Sequence, residues 1–350
     1  MQTVRIRKPL AFPDVSIFRD ARWVNGMVTA WLALATLAIV VWPDPTQGGL
    51  GTFTTYLGYA ARNAVGMGFV CLGIGLVWIS CTFPEESIVD SVKAWARELD
   101  RSAGELSVRI LTGLLSFAVM MFAYSAIKVR LPEFAPFAWD IRFADWDRAL
   151  FAGRDPWTLF TWMYDSPILM RGLDTLYDVW AGLLVAAWTA GFVLTDAKGR
   201  ATLRFPIALI LTWFVGGNVM AALMSSAGPV YFEAVTGLST YNEQLASLSQ
   251  MPLRANDYQA MLWGIYESSS LGLGGISAMP SMHCATAALI LCAVWTRPAL
   301  RLAAVVFFAV IFVGSFVLAW HYAVDGLLAV PVAMLAWWSA GHITRWGTMS

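Results

Sequence analysis

The chain has 350 residues, of which 58% are hydrophobic and only 13% charged, and its mean hydropathy is +0.62. Soluble domains carry about 25% charged residues, so a soluble globular protein and a disordered one are both excluded. The balance of 23 basic against 23 acidic residues excludes a basic nucleic-acid binder, and 18 Trp suit a chain anchored at two membrane–water boundaries.

Apolar runs predict an all-α membrane bundle of eight spans, at 26–42, 64–82, 110–127, 173–194, 205–225, 280–296, 302–319 and 322–339. The first run reaches Trp42-Pro43-Asp44-Pro45 with no small-residue cleavage pattern, so it reads as an uncleaved span. Residues 84–105 read as an amphipathic helix on the membrane surface, with Ile88, Val92, Trp95 and Leu99 on one face. Residues 128–172 form a loop crowded with aromatics, among them Trp139, Trp146, Trp157 and Trp162, which suits the headgroup layer. Residues 226–279 form a second long connection. The four cysteines show no C-x-x-C and read as small packing residues.

Orientation follows from Lys and Arg. With both termini in the cytoplasm, the inner segments hold 15 of the 23 basic residues and nine of the acidic ones, or +6; the outer segments hold eight and 14, or −6. This is the positive-inside pattern and fits a plasma membrane or a bacterial inner membrane. The zero net charge thus conceals a chain polarised across the bilayer.

Only three histidines occur. His342 lies in a polar tail and reads as an ordinary interfacial residue. His283 opens the sixth span and His321 the eighth, 38 residues apart. That spacing is two crossings of about 28 Å each, at ~1.5 Å per residue, so both sit at one depth on the outer side. His321 and Asp325 are at i and i+4 on one helical face. A carboxylate there can fix the imidazole tautomer and leave the other nitrogen free to attack or take a proton. On this pair alone, catalysis and a plain structural hydrogen bond are equal readings. Pro280 suits a first helical turn, with the amides of Ser281, Met282 and His283 and the Ser281 hydroxyl forming an anion site; a plain helix start fits the same residues.

Taken together, Ser277-Ala278-Met279-Pro280-Ser281-Met282-His283 and Trp320-His321-Tyr322-Ala323-Val324-Asp325 resemble the type 2 phosphatidic acid phosphatase superfamily, in the form of its inositol phosphorylceramide synthase branch and bacterial relatives. Ser225 to Tyr231 and Asp147 to Pro156 are similar to that branch too. The resemblance implies a six-span catalytic domain at 107–340, preceded by an added segment at 1–106 with two extra spans and followed by a cytoplasmic tail at 341–350. It implies that His321, oriented by Asp325, attacks a lipid phosphoester to give a phosphohistidine, that His283 protonates the leaving oxygen, and that no cofactor or metal takes part. The partners implied are membrane lipids: a phospholipid with ceramide or diacylglycerol, or a polyprenyl phosphate.

Three positions depart from the superfamily pattern. Met282 stands where Gly is usual, Ser315 where an Arg is usual, and Gly228-Pro229 where a Lys and an Arg-Pro are usual. The phosphate-clamping cations must come from elsewhere, and Arg254, the only basic residue in the segment leading into the motif, is the first expectation. Lys128, Arg130, Arg142, Arg148, Arg154 and Arg171 are the other outer cations, and a lipid phosphate or a nearby Asp accounts for most of them. Arg171, Asp174 and Asp178 share a face and read either as contacts for the acceptor's hydroxyls or as a plain Arg171–Asp174 pair. Asp140, Asp145, Asp147 and Asp155 are interleaved with arginines, which argues against a metal. A lipid phosphotransferase is the leading reading, a phosphatase using water the second. A transporter or scaffold on the same fold is the reading from another class.

Overall fold

The computed structural model describes residues 21–41, 88–194, 201–268 and 274–346, together with a few single positions before residue 66; the side chains of 88–103 are not among them. All regular structure among the described residues is helical. The long elements are α1 (Arg22–Val41), α2 (Ile88–Lys128), α6 (Pro167–Val193), α7 (Arg204–Leu223), α11 (Met282–Val294), α12 (Pro298–Val317) and α13 (Ala323–Trp346). Short helices lie between them: α3 (Leu131–Phe134), α4 (Asp140–Leu150) and α5 (Thr161–Tyr164) before α6, then α8 (Phe232–Thr236), α9 (Asn242–Ser249) and α10 (Arg254–Ser268) before α11.

Five stretches are long and apolar enough to cross a membrane: Gly104–Phe134, Pro167–Val193, Arg204–Leu223, Pro298–Val317 and Ala323–Arg345. They coincide with the third, fourth, fifth, seventh and eighth predicted spans. The sixth predicted span is the shorter apolar helix α11, and α1 occupies the first. The second, 64–82, lies outside the described residues apart from Val65. Large apolar residues such as Ile168, Leu302, Val306, Met334, Leu335 and Trp338 face outward. In water that surface would be a liability, and in hydrocarbon it is the expected one. The protein is a multi-pass membrane protein.

One expectation is corrected. The surface helix at 84–105 and the span at 110–127 are, from Ile88 on, one continuous 41-residue helix. No Pro interrupts that stretch, and Gly104 and Gly113 each cost only about 1 kcal/mol, so nothing stops the helix. The boundary expected at 106/107 falls inside it. The aromatic loop folds into α3, α4, a 3-10 turn at Pro156–Phe160 and α5, with Trp146, Leu159 and Trp162 exposed.

The core centres on α11. It packs against α12, α13, α7 and α6, and Cys284, Ala285, Thr286, Ala287, Ala288 and Leu289 are all buried. Small side chains let helices approach closely where lipid supplies no hydrophobic drive. Ala287 is completely buried, so Ala287→Leu overfills this junction. We predict a loss of about 1–3 kcal/mol, read as a lower thermal unfolding midpoint in detergent. An unchanged midpoint would contradict close packing on α11.

Candidate active site

The histidine-bearing end of the bundle is built by carboxylates that hold backbone. Asp140, buried at the start of α4, accepts the amides of Ala227 and Gly228 at 2.8–3.0 Å and the Tyr322 hydroxyl at 2.7 Å. Asp147, one helical face along, accepts the amides of Ala323 and Val324 at 2.7 and 2.8 Å. Those amides open α13, so Asp147 satisfies donors that the helix itself cannot. Burial pushes the Asp147 carboxyl up to about 7, against the pull of the two amides, and raises Asp140 as well. Gly228 has φ +100°, and a Cβ there would meet the Trp320 carbonyl at 2.7 Å; only glycine admits the turn and this close approach.

Two loops meet beneath this frame. In the first, the Ala278 amide donates to the Ser226 carbonyl and that of Ser281 to the Asp325 carbonyl. Ser281 caps α11, its Oγ accepting from the Cys284 amide at 3.4 Å. In the second, the last carbonyls of α12 are claimed from outside. Gln244 donates to Phe316 and Val317, Tyr164 to Val317, and Gln259 to Leu318, while the Val230 amide donates to Ala319. Ala319 takes the left-handed conformation at φ 59°, and the His321 amide returns to the Ser315 carbonyl at 2.9 Å.

These loops set the two imidazoles. Nδ1 of His321 lies 2.8 Å from the Ala278 carbonyl and 3.5 Å from Oδ2 of Asp325. A carbonyl only accepts, so Nδ1 carries the proton and Nε2 keeps its lone pair. Asp325 is fully buried and also accepts the Tyr322 amide at 2.9 Å. The His283 ring lies against Trp180 and Tyr177, at centroid distances of 4.0 and 4.6 Å. Its centroid is 6.1 Å from that of His321. Two ring nitrogens at this separation can flank one tetrahedral group.

The structure therefore brings together His283, His321, Asp325, Ser281 and Met282. The other sequence candidates lie on a different junction. Asp174 accepts the amides of Arg254 and Ala255 at the start of α10, and Arg254, with a side chain 65% exposed, pairs with Asp178 at 2.8 Å. Arg171 is exposed, and Asp174 turns to α10 instead of to it. Among the described residues no His, Cys, Asp or Glu side chains gather as a metal site. Where an Arg is usual in the superfamily, Ser315 is fully buried with its hydroxyl on the Phe312 carbonyl. Sequence reading missed Gln244, Gln259 and Tyr164, whose contacts span 59 to 153 residues. It passed over Asp140 and Asp147 as framing groups.

An all-helical membrane bundle with a histidine pair and a buried carboxylate at one end defines the class of protein. The comparison with known families then gives the family: residues 141–339 match the PAP2 superfamily, and the chain belongs to it. That assignment supports phosphatase-type phosphoesterase chemistry. No curated protein and no solved structure matches the chain.

The Asp147 brace has a pH signature. Its folded value near 7 lies above the ordinary 3.8, so its contribution to stability is complete below about pH 4 and is lost as pH rises through about 7. We predict that the thermal midpoint falls less between pH 5 and 8 in Asp147→Asn than in the wild type. Equal slopes would mean that Asp147 does not titrate in this window.

Proposed function

We propose that the chain cleaves a lipid phosphoester at the outer face of the membrane through a phosphohistidine on His321, and passes the phosphoryl-bearing headgroup to a lipid alcohol. The observation that carries this reading is the placement of His321: its Nδ1–H is committed to Ala278 with Asp325 alongside, and its ring faces His283 at 6.1 Å. Nε2 of His321 forms a bond to phosphorus as the phosphorus–oxygen bond to the leaving group breaks. Protonated His283 gives its proton to that oxygen. His283, now neutral, takes a proton from the incoming hydroxyl, whose oxygen displaces His321 from phosphorus. Ser281 keeps its N-cap role, and the first-turn amides at Met282 and His283, which have no partner within the helix, point toward an anion at that end.

The motif form around His283 and His321 and the exposed apolar flank of α6, with Ile168, Leu169 and Leu176 outward, support a lipid substrate reaching the site sideways. The excess of basic residues at the opposite end of the spans supports an outer site. Membership of a phosphatase superfamily supports a second reading, with water as acceptor. The two differ only in the last step, where water competes at any site open to it.

The test is to incubate the detergent-purified chain with phosphorus-labelled lipid phosphoesters and look for acid-labile label on protein. Label is expected on the wild type and none on His321→Asn; label retained by that variant removes the nucleophile assignment. His283→Asn is expected to slow turnover by about 10²–10⁴-fold. Adding ceramide, diacylglycerol or a polyprenol then separates the acceptors, since transfer gives a new phosphodiester and hydrolysis gives a free phosphate.

A further inference from the structure

Phosphoryl transfer concentrates negative charge on the equatorial oxygens, and an enzyme needs cations or aligned donors there. Apart from Lys128, most of the cations between the spans are engaged. Arg148 pairs with Asp155 at 2.9 Å, Arg254 with Asp178 at 2.8 Å and Arg130 with Glu133 at 2.9 Å, while Arg142 lies on the Trp139 ring. Arg154 and Arg171 are exposed.

Lys128 differs from all of them. It ends α2, is only 9% exposed, and among the described residues pairs with no carboxylate. Its Nζ donates to the Tyr124 hydroxyl at 2.6 Å. An ammonium sunk at the end of a span without a counter-charge costs several kcal/mol, and a sequence keeps it only if an anion visits.

The surroundings say where that anion would sit. The Lys128 carbonyl lies 2.9 Å from where a Cβ on Gly275 would stand, so Lys128 abuts the loop that runs into α11. Tyr124 and the Met282 sulfur meet over Gly217: a Cβ there would be 3.2 Å from the Tyr124 oxygen and 3.2 Å from that sulfur. The Tyr124 oxygen, by accepting from Nζ, fixes where the ammonium stands.

We propose that Lys128, positioned by the Tyr124 hydroxyl, is the cationic clamp that holds the non-bridging phosphoryl oxygens between His283 and His321. This rests on the phosphoester reading above. The clamp comes from the helix that precedes the family-matched residues 141–339, not from position 315, where the superfamily usually carries its arginine and this chain has Ser. A single placed ammonium is what an otherwise acidic outer face requires.

The probe is orthovanadate, which mimics the five-coordinate phosphoryl group, titrated calorimetrically into the detergent-solubilised full chain. Lys128→Met is expected to bind vanadate about a hundred-fold more weakly, with a thermal midpoint equal to or above that of the wild type, because it removes an unpaired buried charge. Lys128→Arg is expected to keep most of the affinity, and Tyr124→Phe to lose part of it. Vanadate binding by Lys128→Met equal to wild type overturns the clamp and leaves the phosphoester reading standing. Loss of both midpoint and affinity in Lys128→Met and Lys128→Arg alike marks a structural lysine and also overturns it. A wild type that neither binds vanadate nor cleaves a phosphoester removes the phosphoester reading, and the clamp falls with it.

Discussion

A buried carboxylate holding two consecutive backbone amides is the interaction on which the histidine-bearing end of this bundle depends. It occurs three times. Asp140 holds Ala227 and Gly228, Asp147 holds Ala323 and Val324, and Asp174 holds Arg254 and Ala255. Each joins a residue on one helix to the first turn of another element, or to the turn before one. Packed protein keeps water from most of those amides, and each one left bare would cost about 1–3 kcal/mol. The three aspartates therefore fix the directions in which α13, α10 and the 225–231 turn leave the frame.

The candidate chemistry inherits its geometry from that frame. His321 lies two residues before the amides that Asp147 holds, and Tyr322 is tied to Asp140. Ala278, whose carbonyl orients the His321 ring, is itself hung from Ser226, one residue before the pair that Asp140 holds. His321 thus stands on a loop and His283 on the first turn of α11, directly after another loop, and the backbone of both loops is pinned. This is how irregular chain reaches the precision that a reacting group needs.

What could be read from the sequence was what repeats or what sits close by. Among the described residues, long apolar runs marked five crossings where the structure has them, and the His321–Asp325 spacing brought the two side chains within 3.5 Å, although His321 precedes α13 instead of lying on its face. The 38-residue separation brought His283 to the same end. The continuous α2 was misread because polarity changes near residue 105 while helical propensity does not. Local sequence reports the face a helix shows, not where it stops. The glutamines were invisible for another reason: Gln244 and Gln259 act on carbonyls 59 to 73 residues away, and nothing near them in the chain marks that use. Arg254 drew attention by lying near the motif in sequence, whereas burial without a counter-charge is a property only three dimensions reveal, and it belongs to Lys128.

The carbonyls that end α12 join two things usually kept apart, the cover of a site and its reactive group. Gln244, Gln259, Tyr164 and Val230 all reach from the outer segments to the stretch 316–319 directly ahead of His321. If that cover lifts, the carbonyls lose their donors and the turn carrying the imidazole loses its support. The position of His321 therefore depends on residues whose contacts span 59 to 153 positions of the chain, and a substitution in those distant segments is felt at the imidazole.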